Sequence, residues 1–462
     1  MSDMPVITTA RPASAGPVRQ RRVLLAMCAG VLIAQVDTSV VNLAVQRIGA
    51  EFGAGVAALQ WVLDAYNLVY AVLLLSGGLV ADLYGRRRTF CIGAAVLALG
   101  SVACGVAPGI GTLIAARALT GLGAALLLPA SLAIIRVTWT DAAARRRALG
   151  VWASCNGLAF VIGPSLGGVL IGRLGWRSVF FLAVPLAVAA FVLARREVAE
   201  TADRAGRRLD LPGQVLGALA LGALVFAAIM GREQVRACAG AIALFAAALP
   251  VFLAVERRAG AAALVPTDLF ASPAFGGAIA ATASMTFGIY GMIFLLPLAW
   301  QAQGMLGPGE AGLALVPSAL TFFLVSPRSG HLAARYGVRA MAAGGTAVIG
   351  SGLLVLASVP AGRDLLPAEI GLMMTGLGMG LNTGPLMSVA VESVGPARAG
   401  TAAAVINVAR MTGATLGVAV LGAMFAAWGA GSGLRIAMLT GGAVQLGGAL
   451  AAWTTLRHHA QR

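Results

Sequence analysis

Apolar residues run in long blocks along this chain, and the polar ones collect in short clusters between the blocks. Windows of about twenty residues pick out about fourteen blocks long enough to cross a bilayer as α-helices. They fall at 23–45, 58–80, 89–107, 112–135, 148–171, 178–194, 213–231, 236–254, 275–299, 311–329, 340–359, 366–390, 401–427 and 434–455. The connections are short, as antiparallel neighbours require. The longest, 195–211 and 256–273, are too small to fold as domains. The pattern predicts an all-α membrane protein, and the polar residues that interrupt it become the informative ones.

Within the blocks two acids lie at depth, Asp37 and Asp64, and two bases, Arg117 and Arg410. A charge at the bilayer centre costs about 3 kcal/mol on insertion scales, so residues of this kind face a protein interior or a water-filled path. At about 1.5 Å per residue, Asp37 lies roughly 15 Å below Arg47 at the outer end of its span. Arg117 falls a turn or two below the outer loop at 108–111. Asp37, Asp64 and Arg117 are therefore expected in the outer half of the amino-terminal helices, where one cavity could hold all three. A carboxylate removed from water resists ionisation, and an adjacent guanidinium reverses that. A carrier can use this competition to take up and release a proton; a static salt bridge that only holds helices together uses the same residues. Gln35, Thr38 and Asn42 share one face of the first span, and Trp61 and Tyr66 flank Asp64 in the second.

Composition supports the membrane reading. The chain has 462 residues, 59% hydrophobic and 11% charged, a balance that a soluble protein could not keep in solution. The net charge of +16 suggests a polyanion partner only until the bases are placed. All 33 are Arg, and most fall in segments that a topology with both termini inside puts in the cytoplasm: Arg21, Arg22, Arg86 to Arg88, Arg145 to Arg147, Arg195, Arg196, Arg204, Arg207, Arg208, Arg257 and Arg258. That asymmetry is the positive-inside rule, so the charge reports orientation and no nucleic-acid partner is expected. The five Cys (Cys28, Cys91, Cys104, Cys155, Cys238) lack metal-ligand spacing and read as small buried hydrophobes. The first apolar block is too long for a signal peptide and reads as a retained span. His331, His458 and His459 have no partner mid-membrane, and a chain without Lys has no phosphate-binding Gly-x-x-x-x-Gly-Lys loop. No cofactor, metal or enzymatic chemistry is expected.

The stretch Gly78-Leu-Val-Ala-Asp82-Leu-Tyr-Gly85-Arg86-Arg87-Arg88 leaves the second span for the cytoplasm. Gly330-His-Leu-Ala-Ala-Arg335-Tyr-Gly337-Val-Arg339 repeats its rhythm after the tenth, which points to two related halves. The first copy resembles the loop signature of the major facilitator superfamily, and the likeness extends over the whole chain. It implies two pseudo-symmetric six-helix bundles plus two extra central helices, about fourteen in all. The units expected are a tail 1–22, a bundle 23–194, a linker 195–212, two added helices 213–254, a linker 255–274, a second bundle 275–455 and a tail 456–462. In this family the loop works as a cytoplasmic gate, which assigns that role to Gly78, Asp82, Gly85, Arg86 and Arg87. Leu83 and Ala334 depart from the pattern, so the latch is expected to rest on the first half.

Gly163-Pro164-Ser-Leu-Gly167-Gly168 resembles the motif that marks antiporters within the superfamily. The glycines allow close helix contact and the proline bends the span, which suits an outward seal. Span one (Asp37, Thr38, Asn42), span two (Trp61, Asp64, Tyr66), Arg117 with Thr120, and Asn407 with Arg410 resemble the fourteen-span drug/proton antiporter branch; Gln301 fits it too. The resemblance implies a bacterial cytoplasmic-membrane exporter, monomeric and embedded in lipid, that exchanges protons for an amphiphilic drug or antibiotic. An uptake carrier of the same fold and a non-transporting receptor stay open, as does whether Asp64 meets cargo or protons. Two acids favour a cationic cargo; Arg117 and Arg410 keep anionic and neutral ones possible.

Overall fold

The computed structural model describes residues 17–203, 210–230, 234–260, 263, 265–358, 365–394 and 399–456. Most of the expected tails 1–22 and 456–462, with His458 and His459, lies outside the described residues, as do Arg204, Arg207 and Arg208 of the linker.

Among the described residues the regular structure is helical throughout. The helices are α1 (Pro17–Phe52), α2 (Val56–Tyr84), α3 (Arg86–Gly105), α4 (Ile110–Thr138), α5 (Ala142–Leu174), α6 (Ser178–Glu197), α7 (Leu211–Met230) and α8 (Val235–Ala259). They continue with α9 (Pro273–Ala302), α10 (Pro308–Val325), α11 (Ser329–Tyr336), α12 (Val338–Ser358), α13 (Leu366–Glu392), α14 (Ala399–Trp428) and α15 (Leu434–Thr455). Every apolar block of the sequence falls on one of them, because a backbone in hydrocarbon has to bond within its own segment. Local chemistry sets several ends. The Asp141 carboxylate accepts from the Ala144 N–H at 2.7 Å to start α5, and Ser272 accepts from Phe275 N–H ahead of Pro273 at the start of α9.

Twelve of the helical stretches are long and apolar enough to cross a membrane. One of them, Thr401–Thr455, takes in both α14 and α15, joined through a π-turn at Gly429–Gly433. Another, Pro308–Tyr336, takes in α10 and α11. The block at 311–329 is thus longer than expected, and a 3₁₀ turn at Ser326–Arg328 interrupts it where Pro327 withholds its backbone donor. Helix α13 is not among the twelve; Thr375, Asn382 and Thr383 dilute its apolar run.

Two bundles of the same plan result. In the first, α1 packs on α5 and α6, and α4 packs on α2 and α3. In the second, α9 packs on α14 and α15, and α12 packs on α13 and α15. The echo in sequence is an echo in shape. Gly85 at φ 116° is the single residue between α2 and α3, its N–H donating to Ala81 O at 3.2 Å. Gly337 at φ 88° does the same between α11 and α12, donating to Ala333 O at 2.9 Å. A side chain at either position would be strained.

The bundles meet through α5 with α10, α2 with α14, and α1 with α9. Helix α7 packs on α8 and reaches both α2 and α14, whereas α8 buries only Ala248 and Glu256. At the end assigned to the outside the contact is a tight seal. A Cβ on Gly163 would run into Ser39, one on Gly167 into Val40, and one on Gly168 into Pro308 O at 2.9 Å. Across the bundle boundary, a Cβ on Gly312 of α10 would run into the Pro164 carbonyl of α5. Because the obstacle is backbone, no rotamer change relieves it. Gly312→Leu is expected to force the bundles apart and cost about 1–3 kcal/mol. Gly172→Leu, on the same α5 but with open space around it, should leave stability unchanged. Thermal unfolding of the purified chain in detergent compares the two, and equal melting temperatures would show that the seal is loose.

Candidate functional site

Asp37 on α1 and Arg117 on α4 form an ion pair, NH1 to Oδ2 at 2.5 Å, with both side chains 1% exposed. Arg117 is held from several sides. Its Nε donates to Val62 O of α2 at 3.0 Å and its NH1 to Thr120 Oγ1 at 3.4 Å. The guanidinium carbon stands 4.7 Å from the centre of the Tyr66 ring, and the Tyr66 hydroxyl donates to Ala34 O of α1 at 3.1 Å. Three helices of the first bundle therefore converge on one charge pair. Each ion gives up several kcal/mol of hydration on burial, and the close geometry offsets that cost only while both partners stay charged.

Asp64 is equally deep and differently placed. It is fully buried, and its polar neighbour is Asn67, one turn on in α2. One turn earlier, Gln60 donates to Val418 O and Ala419 O of α14 at 2.8 and 2.7 Å. Trp61 packs against Phe226 of α7 with ring centroids 6.3 Å apart and the rings tilted by 49°, and Leu68 joins the same α2–α7–α14 apolar contact. Positions 62 and 66 of α2 thus turn toward α1 and α4, 60 and 64 toward α14, and 61 and 68 toward α7. The sequence allowed Asp37, Asp64 and Arg117 to share one cavity, with Trp61 and Tyr66 around Asp64. The structure gives Tyr66 to Arg117, gives Trp61 to α7, and leaves Asp64 on the α14 side. Neighbours in sequence diverge because adjacent helical positions stand about 100° apart.

A small cavity of about 220 Å³ of empty space lies between the bundles, lined by Thr38, Asn42, Leu63, Asn67, Arg117, Tyr290 and Val418. Neither Asp37 nor Asp64 is part of that lining. Asn42 reaches it but donates to Thr38 O at 2.8 Å. On α14, Asn407 donates to Ala403 O at 2.8 Å and accepts from Arg410 NH1 at 3.4 Å. Gln301 is not part of this cavity's lining: its amide donates to Leu43 O of α1 at 3.4 Å and ties the two bundles near the ends of α1 and α9. Tyr290 and Asn67 belong to the cavity and were not among the expected site residues. Asn67, polar in an apolar span, carried a readable signal; Tyr290, in an aromatic-rich span, did not.

Where α2 turns into α3, Arg86 donates to Asp82 Oδ1 at 2.8 Å. Glu200, beyond α6, accepts from the backbone N–H groups of Arg87 and Arg88, both at 3.1 Å. It therefore caps α3 in place of a residue of its own loop, and Arg86 N–H donates to Thr201 O at 2.9 Å. Gly78 stands beside Pro129 of α4 and Gly85 beside Glu200. Among the described residues no group of three His, Cys, Asp or Glu side chains converges to hold a metal.

The chain is 35% identical over 408 residues to the multidrug resistance protein Stp of Mycobacterium tuberculosis, covering 88% of this chain and 76% of that protein. It is 30% identical to the methylenomycin A resistance protein of Streptomyces coelicolor, covering 95% and 93%. Its fold matches that of a peptide transporter crystallised with sulfate, with a TM-score of 0.73 at 15% identity over 94% of each chain. The family model of the Major Facilitator Superfamily matches residues 27–418. With two helical bundles of one plan and a family match over most of its length, the chain belongs to the Major Facilitator Superfamily, a transporter rather than an enzyme.

Proposed function

We propose that this chain is a fourteen-span, proton-coupled exporter of an amphiphilic organic solute, drug or antibiotic, in a bacterial cytoplasmic membrane, working as a monomer with both termini inside. The observation that carries the reading is the Asp37–Arg117 pair, a titratable acid and its counter-ion buried beside the cavity between the bundles. Resistance proteins among the relatives support export and an organic cargo. The glycine-lined seal of α1, α5 and α10 supports an exchanger, since a tight outer closure limits leak between turnovers.

In this reading a proton arriving from outside binds an Asp37 carboxylate oxygen and cancels its charge. Arg117 then loses its counter-ion and keeps only Val62 O, Thr120 and the Tyr66 face. That imbalance favours the other arrangement of the bundles. Solute leaves to the outside as the proton binds. After the bundles rearrange, release of the proton inside restores the pair as the next solute enters from the cytoplasm. The driving force is adequate: one charge crossing 100 mV gains about 2.3 kcal/mol, before any pH gradient. The gate at Asp82, Arg86 and Glu200 holds the cytoplasmic loop in shape through the cycle. An uptake carrier would share the charge pair; the seal motif favours export.

Asp37→Asn is expected to abolish solute export driven by an imposed pH gradient in proteoliposomes, because an amide cannot carry the proton. It also strands Arg117, at a cost of about 3–5 kcal/mol. The double variant Asp37→Asn/Arg117→Gln should recover most of that stability and none of the coupling. Wild-type proton exchange in either variant would make the pair purely structural.

Asp64 has neither Trp61 nor Tyr66 as a cation cage, so its charge is assigned to the proton side of the cycle. Asp64→Asn should slow export of a monovalent organic cation and of a neutral amphiphile by the same factor. Loss confined to the cation would return Asp64 to cargo recognition.

A further inference from the structure

A second and larger cavity, with about 470 Å³ of empty space, lies at the bundle boundary. It is lined from α1 and α5 on one side and from α9, α10 and α13 on the other. Phe160 of α5 reaches across to two helices. Its ring centroid stands 6.5 Å from that of Tyr290 on α9 and 6.0 Å from that of Phe322 on α10, with the rings near perpendicular. Pro164, whose carbonyl meets Gly312 in the seal, belongs to the same lining. The wall is apolar, and its two hydroxyls are already engaged. Ser39 donates to Val36 O and Ala159 O at 3.1 and 3.3 Å, and Ser318 shares a hydrogen bond with Thr375 at 3.2 Å.

The smaller cavity adjoins it, since Tyr290 lines the one and its ring touches Phe160 of the other. Here two buried groups lack partners among the described residues, the Asn67 Oδ1 and the Tyr290 hydroxyl. The first wants a donor and the second has a proton to give. The one charged residue in either lining is Arg117, which Asp37 engages at 2.5 Å, and Asp64 lines neither cavity. A charged cargo would give up its hydration and meet no free counter-ion. A hydroxyl answers both lone groups at once, donating to Asn67 and accepting from Tyr290. Aromatic surface is called for as well. When the bundles part, Phe160 leaves Tyr290 and Phe322, and a flat ring placed between them restores the edge-to-face contacts.

We propose that the larger cavity receives the aromatic body of the solute while Asn67 and Tyr290 hold an uncharged hydroxyl at its head, so that the cargo class is neutral aromatic alcohols. This rests on the export reading and names its substrate, and it runs against the cationic cargo that the two acids suggest in sequence. Phe160 and Asn67 belong to the first bundle, Tyr290 and Phe322 to the second. The bound solute therefore bridges the boundary beside the seal, where opening of the α5–α10 contact uncovers it.

The test uses pyrenebutanol, its methyl ether, pyrenebutyrate and pyrenebutyl-trimethylammonium, which share the aromatic body and differ at the head. Binding to the full chain in phosphatidylcholine nanodiscs is read by fluorescence at neutral pH, with uptake by empty nanodiscs subtracted. The wild type should bind the alcohol about tenfold or more tighter than either ion, and a few-fold tighter than the ether. Asn67→Ala should erase the difference between alcohol and ether. Phe160→Leu and Phe322→Leu should weaken both alike, by about threefold to tenfold. Ala319→Phe, which fills the larger cavity, should abolish saturable binding. The ranking of the four probes needs no variant to fold. An ammonium or carboxylate probe that binds as tightly as the alcohol overturns the proposal, as does the absence of saturable alcohol binding. Alcohol binding indifferent to Phe160→Leu, Phe322→Leu and Ala319→Phe overturns it too. Export is scored separately on a pH gradient in proteoliposomes. The predicted ranking without pH-driven export keeps the site and removes the export reading; export with no preference for the alcohol does the reverse.

Discussion

Hydrocarbon offers no hydrogen bonds, and this one deficit organises the molecule. Every crossing segment has to be a helix because nothing else can satisfy its backbone. Every charge inside needs a partner held close, and the Asp37–Arg117 pair is where the chain meets that demand most fully. The surrounding structure serves the pair. Val62 O, Thr120 and Tyr66 hold the guanidinium, while Ala34 O fixes Tyr66 by its hydroxyl. An arrangement so specified in low dielectric has few intermediate positions, so loss of its charge balance is felt as a switch and not as a gradual shift.

The same deficit explains why glycine does so much of the packing. Lipid is as apolar as leucine, so helices gain little by burying large side chains against each other and more by bringing backbones close. Gly93 against Gly123 joins α3 to α4. Gly352 against Gly371, and Gly345 against Gly378, join α12 to α13 in the second bundle. Within each bundle these contacts make a rigid unit. At the boundary, glycine contacts cluster toward one end, at Gly168 and Gly312, so closure there does not need the whole interface to be fixed.

Hydropathy made the helices legible, since a long apolar run has one solution in a membrane. The repeated Gly-x-x-x-x-x-x-Gly rhythm marked both turns, because Gly85 and Gly337 occupy the same positive-φ position. Depth along the helix brought Asp37 and Arg117 to one level. Direction around the helix was harder to read. Residues 60 to 68 of α2 touch α1, α4, α7 and α14, and apolar periodicity carries little information where all faces are apolar. Trp61 and Tyr66 were therefore grouped with Asp64 by proximity in sequence, and the fold separates all three. Glu200 escaped notice because an acid in a basic linker looks like a solvated charge until α3 is seen to start beside it.

The added helices bear on this most directly. Helix α7 is tied to α2 by polar contacts: Gln214 donates to Val72 O at 2.5 Å and meets Ser76 Oγ. Against α14 it offers apolar side chains, Val225 and Ile229 packing with Leu416 and Ala419. Polar ties in lipid are directional and costly to break, whereas apolar surfaces exchange one neighbour for another at little cost. The α7–α8 pair is thereby held to the first bundle by polar ties and to the second by apolar contacts. Asp64 lies on α2, one turn from the Gln60 amide that bonds α14. A buried carboxylate at a boundary with one fixed side and one moving side meets a different environment in each arrangement. Such a difference is what any residue needs if its proton is to follow the motion of the bundles.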